Sequence, residues 1–233
     1  MPRPRLPTLR SSLTLIVLAM LAVYVRAALA SPWPFAITLP PDVLIAHGGN
    51  LPAGDGGAWW RAAVALVLNV GPVHLLFDLA TVTVVVTLFD ELYGKAVTLL
   101  AFVGLGTVAA LASSHLGIHG VEVGASAGTM ALVTMGAAAG HRVARVEGGW
   151  AGRRVRDDLL RFAVLVLLFT FVTGGDIRAA LAGGVVGAPV GWLVPASTFT
   201  SRRPLAIVVA VLGGLALAAI TAAALIPATR WGG

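Results

Sequence analysis

The sequence predicts an all-α, polytopic transmembrane helix bundle, and three observations lead there. Of its 233 residues, 58% are apolar and 11% are charged, whereas about a quarter of the residues in a soluble domain are charged. Mean hydropathy is +0.93. The apolar residues also fall into runs near 12–30, 62–89, 96–114, 126–140, 159–173, 177–196 and 205–226. Several are long enough for a hydrocarbon layer about 30 Å thick at about 1.5 Å per helical residue. The runs predict about seven crossings in a single membrane domain spanning 1–233.

The first run follows Arg3, Arg5 and Arg10. Its end, Ala28-Leu29-Ala30 before Ser31, has the form of a signal-peptidase site, while Arg26 favours a retained helix. Residues 31–61 hold Pro32, Pro34, Pro40, Pro41, Pro52 and a glycine cluster, so no single span fits there. They are expected to form a long loop with short interfacial pieces at Trp33, Trp59 and Trp60. The run at 62–89 is read as the second helix and carries Asn69, His74 and Asp78. The fourth, 126–140, is short and crowded with Gly, Ala, Ser and Thr, which suits the middle of a bundle. Gly183, Gly187 and Gly191 recur at four-residue spacing in the sixth run and predict close packing against that fourth helix. The run at 205–226 is an additional transmembrane helix.

The formal charge of +6 does not indicate nucleic-acid binding, because the arginines sit in short connections rather than on a soluble basic face. With a cytoplasmic N-terminus, Arg3, Arg5, Arg10, Lys95, Arg142, Arg145, Arg153, Arg154, Arg156, Arg161, Arg202 and Arg203 share the inner side. Arg26, Arg61, Arg178 and Arg230 fall outside. That asymmetry predicts a multi-pass protein with its N-terminus in the cytoplasm. The Ala-, Val-, Gly- and Arg-rich composition points to a bacterial plasma membrane. Cysteine is absent, which excludes disulfides and thiolate chemistry. His115 and His119 have helical spacing, but Gly117 and Gly120 weaken any helix there, and no further ligands accompany them. Neither a metal nor another cofactor is expected.

Polar residues within apolar runs are costly and mark function. His74 and Asp78 are one turn apart on one helical face, and Ser126 lies in Gly124-Ala125-Ser126-Ala127-Gly128. The soluble nucleophile-elbow reading of that string fails, because no strand precedes it. A transporter would place charges deep in several spans, and here little beyond Asp78 does so. On the predicted topology, Asn69, His74 and Ser126 share one outward-opening cavity.

Together these motifs acquire a family resemblance. Trp60-Arg61, then Asn69 through His74-Leu75-Leu76-Phe77-Asp78, Asp90 four before Gly94, Gly124-Ala125-Ser126, and Ala179-Ala180-Leu181-Ala182-Gly183 leading to Gly187 resemble the rhomboid intramembrane serine proteases in order and spacing. The resemblance covers 12–196 and implies a six-helix core plus one C-terminal helix. It also implies a serine–histidine dyad below the outer membrane surface, with Ser126 as nucleophile and His74 as an oxyanion donor.

Departures from that pattern alter the expected chemistry. Asp78 and Asn69 stand at the positions of a second-helix asparagine and an upstream histidine, Ala127 replaces the glycine after the serine, and Ala180 stands where the sixth-helix histidine belongs. A serine hydroxyl needs a positioned base, and alanine accepts no proton. An ionised Asp78 would also repel a developing oxyanion. The resemblance therefore implies a catalytically inactive, rhomboid-like pseudoprotease whose partners are membrane lipids and transmembrane client segments. The alternative is an active intramembrane serine protease with a relocated Ser126–His74–Asp78 arrangement. His141 is about 22 Å from Ser126 along a helix, whereas His47, His115 and His119 lie in or beside outer connections.

Overall fold

A computed structural model describes residues 12–31, 37–53, 59–116, 120–146, 149–194 and 203–225. Among the described residues the chain is helical apart from loops and an isolated bridge between Asn50 and Glu122. The helices are α1 Ser12–Ala30, α2 Pro41–Ala46, α3 Trp59–Ala65, α4 Pro72–Leu92, α5 Lys95–His115, α6 Ser126–Val146, α7 Trp150–Val172, α8 Ile177–Leu193 and α9 Arg203–Leu225. Helices α2 and α3 are short, and the other seven have 17 to 23 residues each. Of these, α1, α4 and α5 are long and apolar enough to cross a membrane by length and composition alone. The fold class is as expected: a helical bundle of a multi-pass membrane protein in a lipid environment.

Helix α6 occupies the centre. It is less apolar than α4, α5 and α8 but buries Ser126 through Val133, and further along Met135, Gly136, Ala137 and Gly140. Its small residues allow close approach on three sides. A Cβ on Gly183, Gly187 or Gly191 of α8 would collide with the carbonyl oxygen of Ala127, Ala131 or Met135, respectively. The glycine ridge thus runs parallel to α6 with backbone against backbone, as its spacing predicts. Gly128 faces Phe102 of α5, and Gly152 of α7 meets the Gly140 carbonyl.

Four sequence boundaries need correction. The run at 62–89 is two helices, because Asn69, Gly71 and Pro72 interrupt it, and Asn69 lies in the connection rather than on a helix. Pro72 opens α4, where its missing N–H costs no helical bond. The short fourth run extends to Val146. Helix α7 begins at Trp150 rather than near 159, so most of the arginine-rich 141–158 segment is helical, supported by Arg154–Asp158 and Arg161–Asp158 pairs at i,i+4 and i,i+3. Helix α8 ends at Leu193 rather than 196.

The long helices alternate in direction, so the N-termini of α4, α6 and α8 gather at one end. Gly94, at φ +83°, makes the tight turn from α4 to α5. Asp90 accepts a hydrogen bond from the Ser12 hydroxyl and thereby ties α4 to α1. At the Ser126 end, Arg61 donates from Nη1 to the carbonyls of Ile45 (2.8 Å) and Gly49 (3.1 Å) while lying 4.9 Å from the Trp60 ring centroid. The Trp-Arg pair therefore pins the end of α2 and the turn after it. His47 is buried, and its Nδ1 donates to the Ala224 carbonyl of α9 at 2.8 Å. Pro34 and Trp33 lie outside the described residues, as does His119.

Candidate functional site

Four segments meet at the mouth of the bundle: the loop carrying Asn69, the first turns of α4, the turn into α6, and the loop from α7 to α8. Asp78 is the hub. Its Oδ2 accepts from Asn69 Nδ2 at 2.7 Å and from the Ala125 backbone N–H at 2.8 Å. His74 Nε2 stands 3.7 Å from the same oxygen, beyond hydrogen-bond length. The expectation that His74 and Asp78 face each other holds, but the carboxylate spends its hydrogen bonds on Asn69 and on the entrance to the serine helix.

The other ring nitrogen of His74 is also engaged. The Val70 N–H points at Nδ1 at 3.4 Å, so Nδ1 is an acceptor and Nε2 carries the ring proton toward Asp78. Gly124 closes the knot. Its φ of +118° favours glycine, and a Cβ there would stand 2.8 Å from His74 Cε1 and 3.2 Å from Asp78 Oδ2. Its N–H donates to the Ala65 carbonyl at 2.8 Å, which joins the broken end of α3 to the turn before α6.

Ser126 is the first residue of α6 and is buried. Among the described residues, no histidine or carboxylate hydrogen-bonds its hydroxyl. The glycine ridge sets the register of α8 against it: with Gly183 on Ala127, Ala180 lies one turn earlier, level with the N-terminus of α6. Ala180 is fully buried and brings no polar atom. Above these residues is a cleft of about 320 Å³, lined by Val70, residues 120–123 and 174–178. The shared cavity expected for Asn69, His74 and Ser126 is therefore displaced: all three are buried, and their sequence neighbours line the opening.

Of the other described histidines, one is committed and one is distant. His47 holds α9, and His141 lies at the opposite end, 3.1 Å from an Arg156 nitrogen and 5.8 Å from the Trp192 ring. His115 is exposed at the end of α5.

Sequence reasoning missed two parts of the mouth. Glu122, buried in the loop before α6, exchanges backbone hydrogen bonds with Asn50 and accepts from Asn50 Nδ2 at 2.8 Å. Burial pushes its carboxyl up to about 8, with nearby Asp176 adding to the rise against the lowering effect of Asn50. Asp176 itself caps α8, accepting from the Arg178 N–H at 2.7 Å. The Asp-x-Arg run at the start of α8 carried that capping signal. Nothing local to Glu122 foretells Asn50, which is 72 positions away. Gly175 is the second omission, since a Cβ there would lie 3.3 Å from His74 Nε2.

Fold and site together define a membrane-embedded helical bundle built around a buried serine at the head of its central helix. The chain belongs to the rhomboid family: the family model described as Rhomboid domain matches residues 56–197. It is also 26% identical over 187 residues to a protein of Toxoplasma gondii named Rhomboid-like protease 2, an alignment covering 79% of this chain and 64% of that relative. No solved structure matches the chain significantly.

Proposed function

We propose that this rhomboid-family protein is a pseudoprotease, inserted in the plasma membrane with its N-terminus in the cytoplasm, that binds transmembrane segments of client proteins without cutting them. The observation that carries this reading is Ala180, fully buried one turn before the glycine that packs on Ala127 and bringing no proton acceptor to the position where the resemblance expects a histidine. A serine with no proton acceptor beside it is a poor nucleophile. His74 is poorly placed to substitute, because Nδ1 receives the Val70 N–H and Nε2 faces Asp78. For a relocated triad, one nitrogen would have to abandon its present neighbour for Ser126. A client helix would instead meet the cleft over α6 and α8, where Glu122, Asp176 and Arg178 offer polar groups to a segment with helix-breaking or polar residues.

A second reading is favoured by the name of the Toxoplasma relative and by the presence of Ser126 with His74: a protease in which His74, one turn from Asp78, acts as base. One experiment separates the two. The protein is reconstituted with a panel of transmembrane substrates, beside Ser126→Ala. Equal and background-level cleavage by both is expected. Cleavage lost on Ser126→Ala overturns the inactive reading. Fluorophosphonate labelling of the reconstituted protein is likewise expected to be absent.

A further inference from the structure

At the end of the bundle opposite Ser126, α6 and α8 finish side by side. Arg142 Nη1 donates to the carbonyls of Trp192 (2.9 Å) and Leu193 (3.4 Å), which α8 leaves without helical partners. Three residues on, Arg145 is exposed and has no carboxylate partner among the described residues. Between the two helix ends lies a cleft of about 280 Å³, lined by Arg142, Arg145, Val146, Trp192 and Leu193. Val146, Trp192 and Leu193 give it apolar walls, and its cationic groups come from two successive turns of one helix.

The described carboxylates of the neighbouring α7 are occupied on their own helix. Asp157 pairs with Arg156 at 2.7 Å, and Asp158 stands near Arg154 and Arg161 at 3.8 and 3.5 Å, all on α7. Arg156 also reaches His141, whose ring packs near Trp192 and helps fix that side of the cleft. Among the described residues that line it, the cleft thus sets two arginines and no carboxylate against an exposed apolar wall of Val146, Trp192 and Leu193. A soluble anion would satisfy the arginines and leave the wall wet. An amphipathic anion satisfies both.

We propose that this cleft binds one anionic phospholipid, its phosphodiester on Arg145 and Arg142 and the upper part of its acyl chains against Val146, Trp192 and Leu193. Tryptophan at the interface and arginine at headgroup depth are the residue types such a ligand requires. Arg145 is the main determinant, since Arg142 is already engaged by the end of α8. The inference is independent of whether Ser126 is catalytic.

The test uses the full chain in phosphatidylcholine micelles, with phosphatidylglycerol titrated in and bound lipid counted by native mass spectrometry. A saturable single adduct is expected, with Arg145→Gln weakening it about fivefold, the effect of one arginine at an anionic surface. Arg154→Gln removes a charge from the same end but outside the cleft, and is expected to leave the adduct unchanged. Because Arg145 is exposed, its variant should melt like the wild type in phosphatidylcholine alone. Equal weakening by the two variants would mean diffuse attraction and overturn the site. Displacement of the lipid by equimolar inorganic phosphate would overturn the lipid as its ligand.

Discussion

At the Ser126 end of the bundle, Asp78 is almost wholly enclosed and gathers a side-chain amide and a backbone N–H on one oxygen, with an imidazole nearby. At the other end, Asp158 is 59% exposed in its side chain and stands between two arginines exposed by more than 70%. The same residue type serves two different purposes. Enclosed, it fixes the relation of three chain segments, because each donor it holds has no water to turn to. Exposed, it trims the local charge, and solvent screens the attraction. The mouth of this protein is thus specified by geometry, whereas the arginine end is specified by net charge and its placement in the membrane.

That contrast can be broken by substitution. Asp78→Ala should have the largest effect, since Asn69 Nδ2 and the Ala125 N–H lose their acceptor together. An unfolding free energy lowered by about 2–4 kcal/mol is expected in denaturant titration of the micellar protein. A loss no larger than that of a surface substitution would show that the knot does not organise the mouth.

Glu122 sharpens the comparison through pH. Its carboxyl is raised from the usual 4.5 to about 8 in the folded chain, so the folded state binds the extra proton. The associated stability is fully present below pH 4.5 and is lost as pH rises through about 8. Glu122→Gln should flatten this slope while keeping an acceptor for Asn50, and melting curves across that range measure it. The smallest effect belongs to the exposed end: Arg154→Gln, which removes the pair with Asp158, should leave the melting temperature within about 1 °C of wild type. A larger drop there would erase the distinction.

These differences also explain what the sequence disclosed. The glycine ridge was legible because small residues at four-residue spacing have one efficient use in lipid, and their register then carried Ala180 to the N-terminal end of α6. The position of His74 opposite Asp78 followed from helical spacing alone. The break at 66–71 was obscured because apolar residues on both sides of Asn69 read as one run, although Gly71 and Pro72 supply the interruption. The start of α7 was hidden for the opposite reason. Its first turns are charged and supported by pairing along the helix, so a search for apolarity began too late. The burial of Glu122 was not legible because it depends on Asn50, a partner that only the assembled loop brings near.

The bond from His47 to the Ala224 carbonyl joins residues 177 positions apart. During synthesis residues 41–49 leave the ribosome long before α9 exists, and His47 must wait for that helix to arrive. Arg61 can fasten that segment early, from a short distance along the chain. The histidine bond forms only once α9 has been made and packed, so it closes later than the contacts of Arg61.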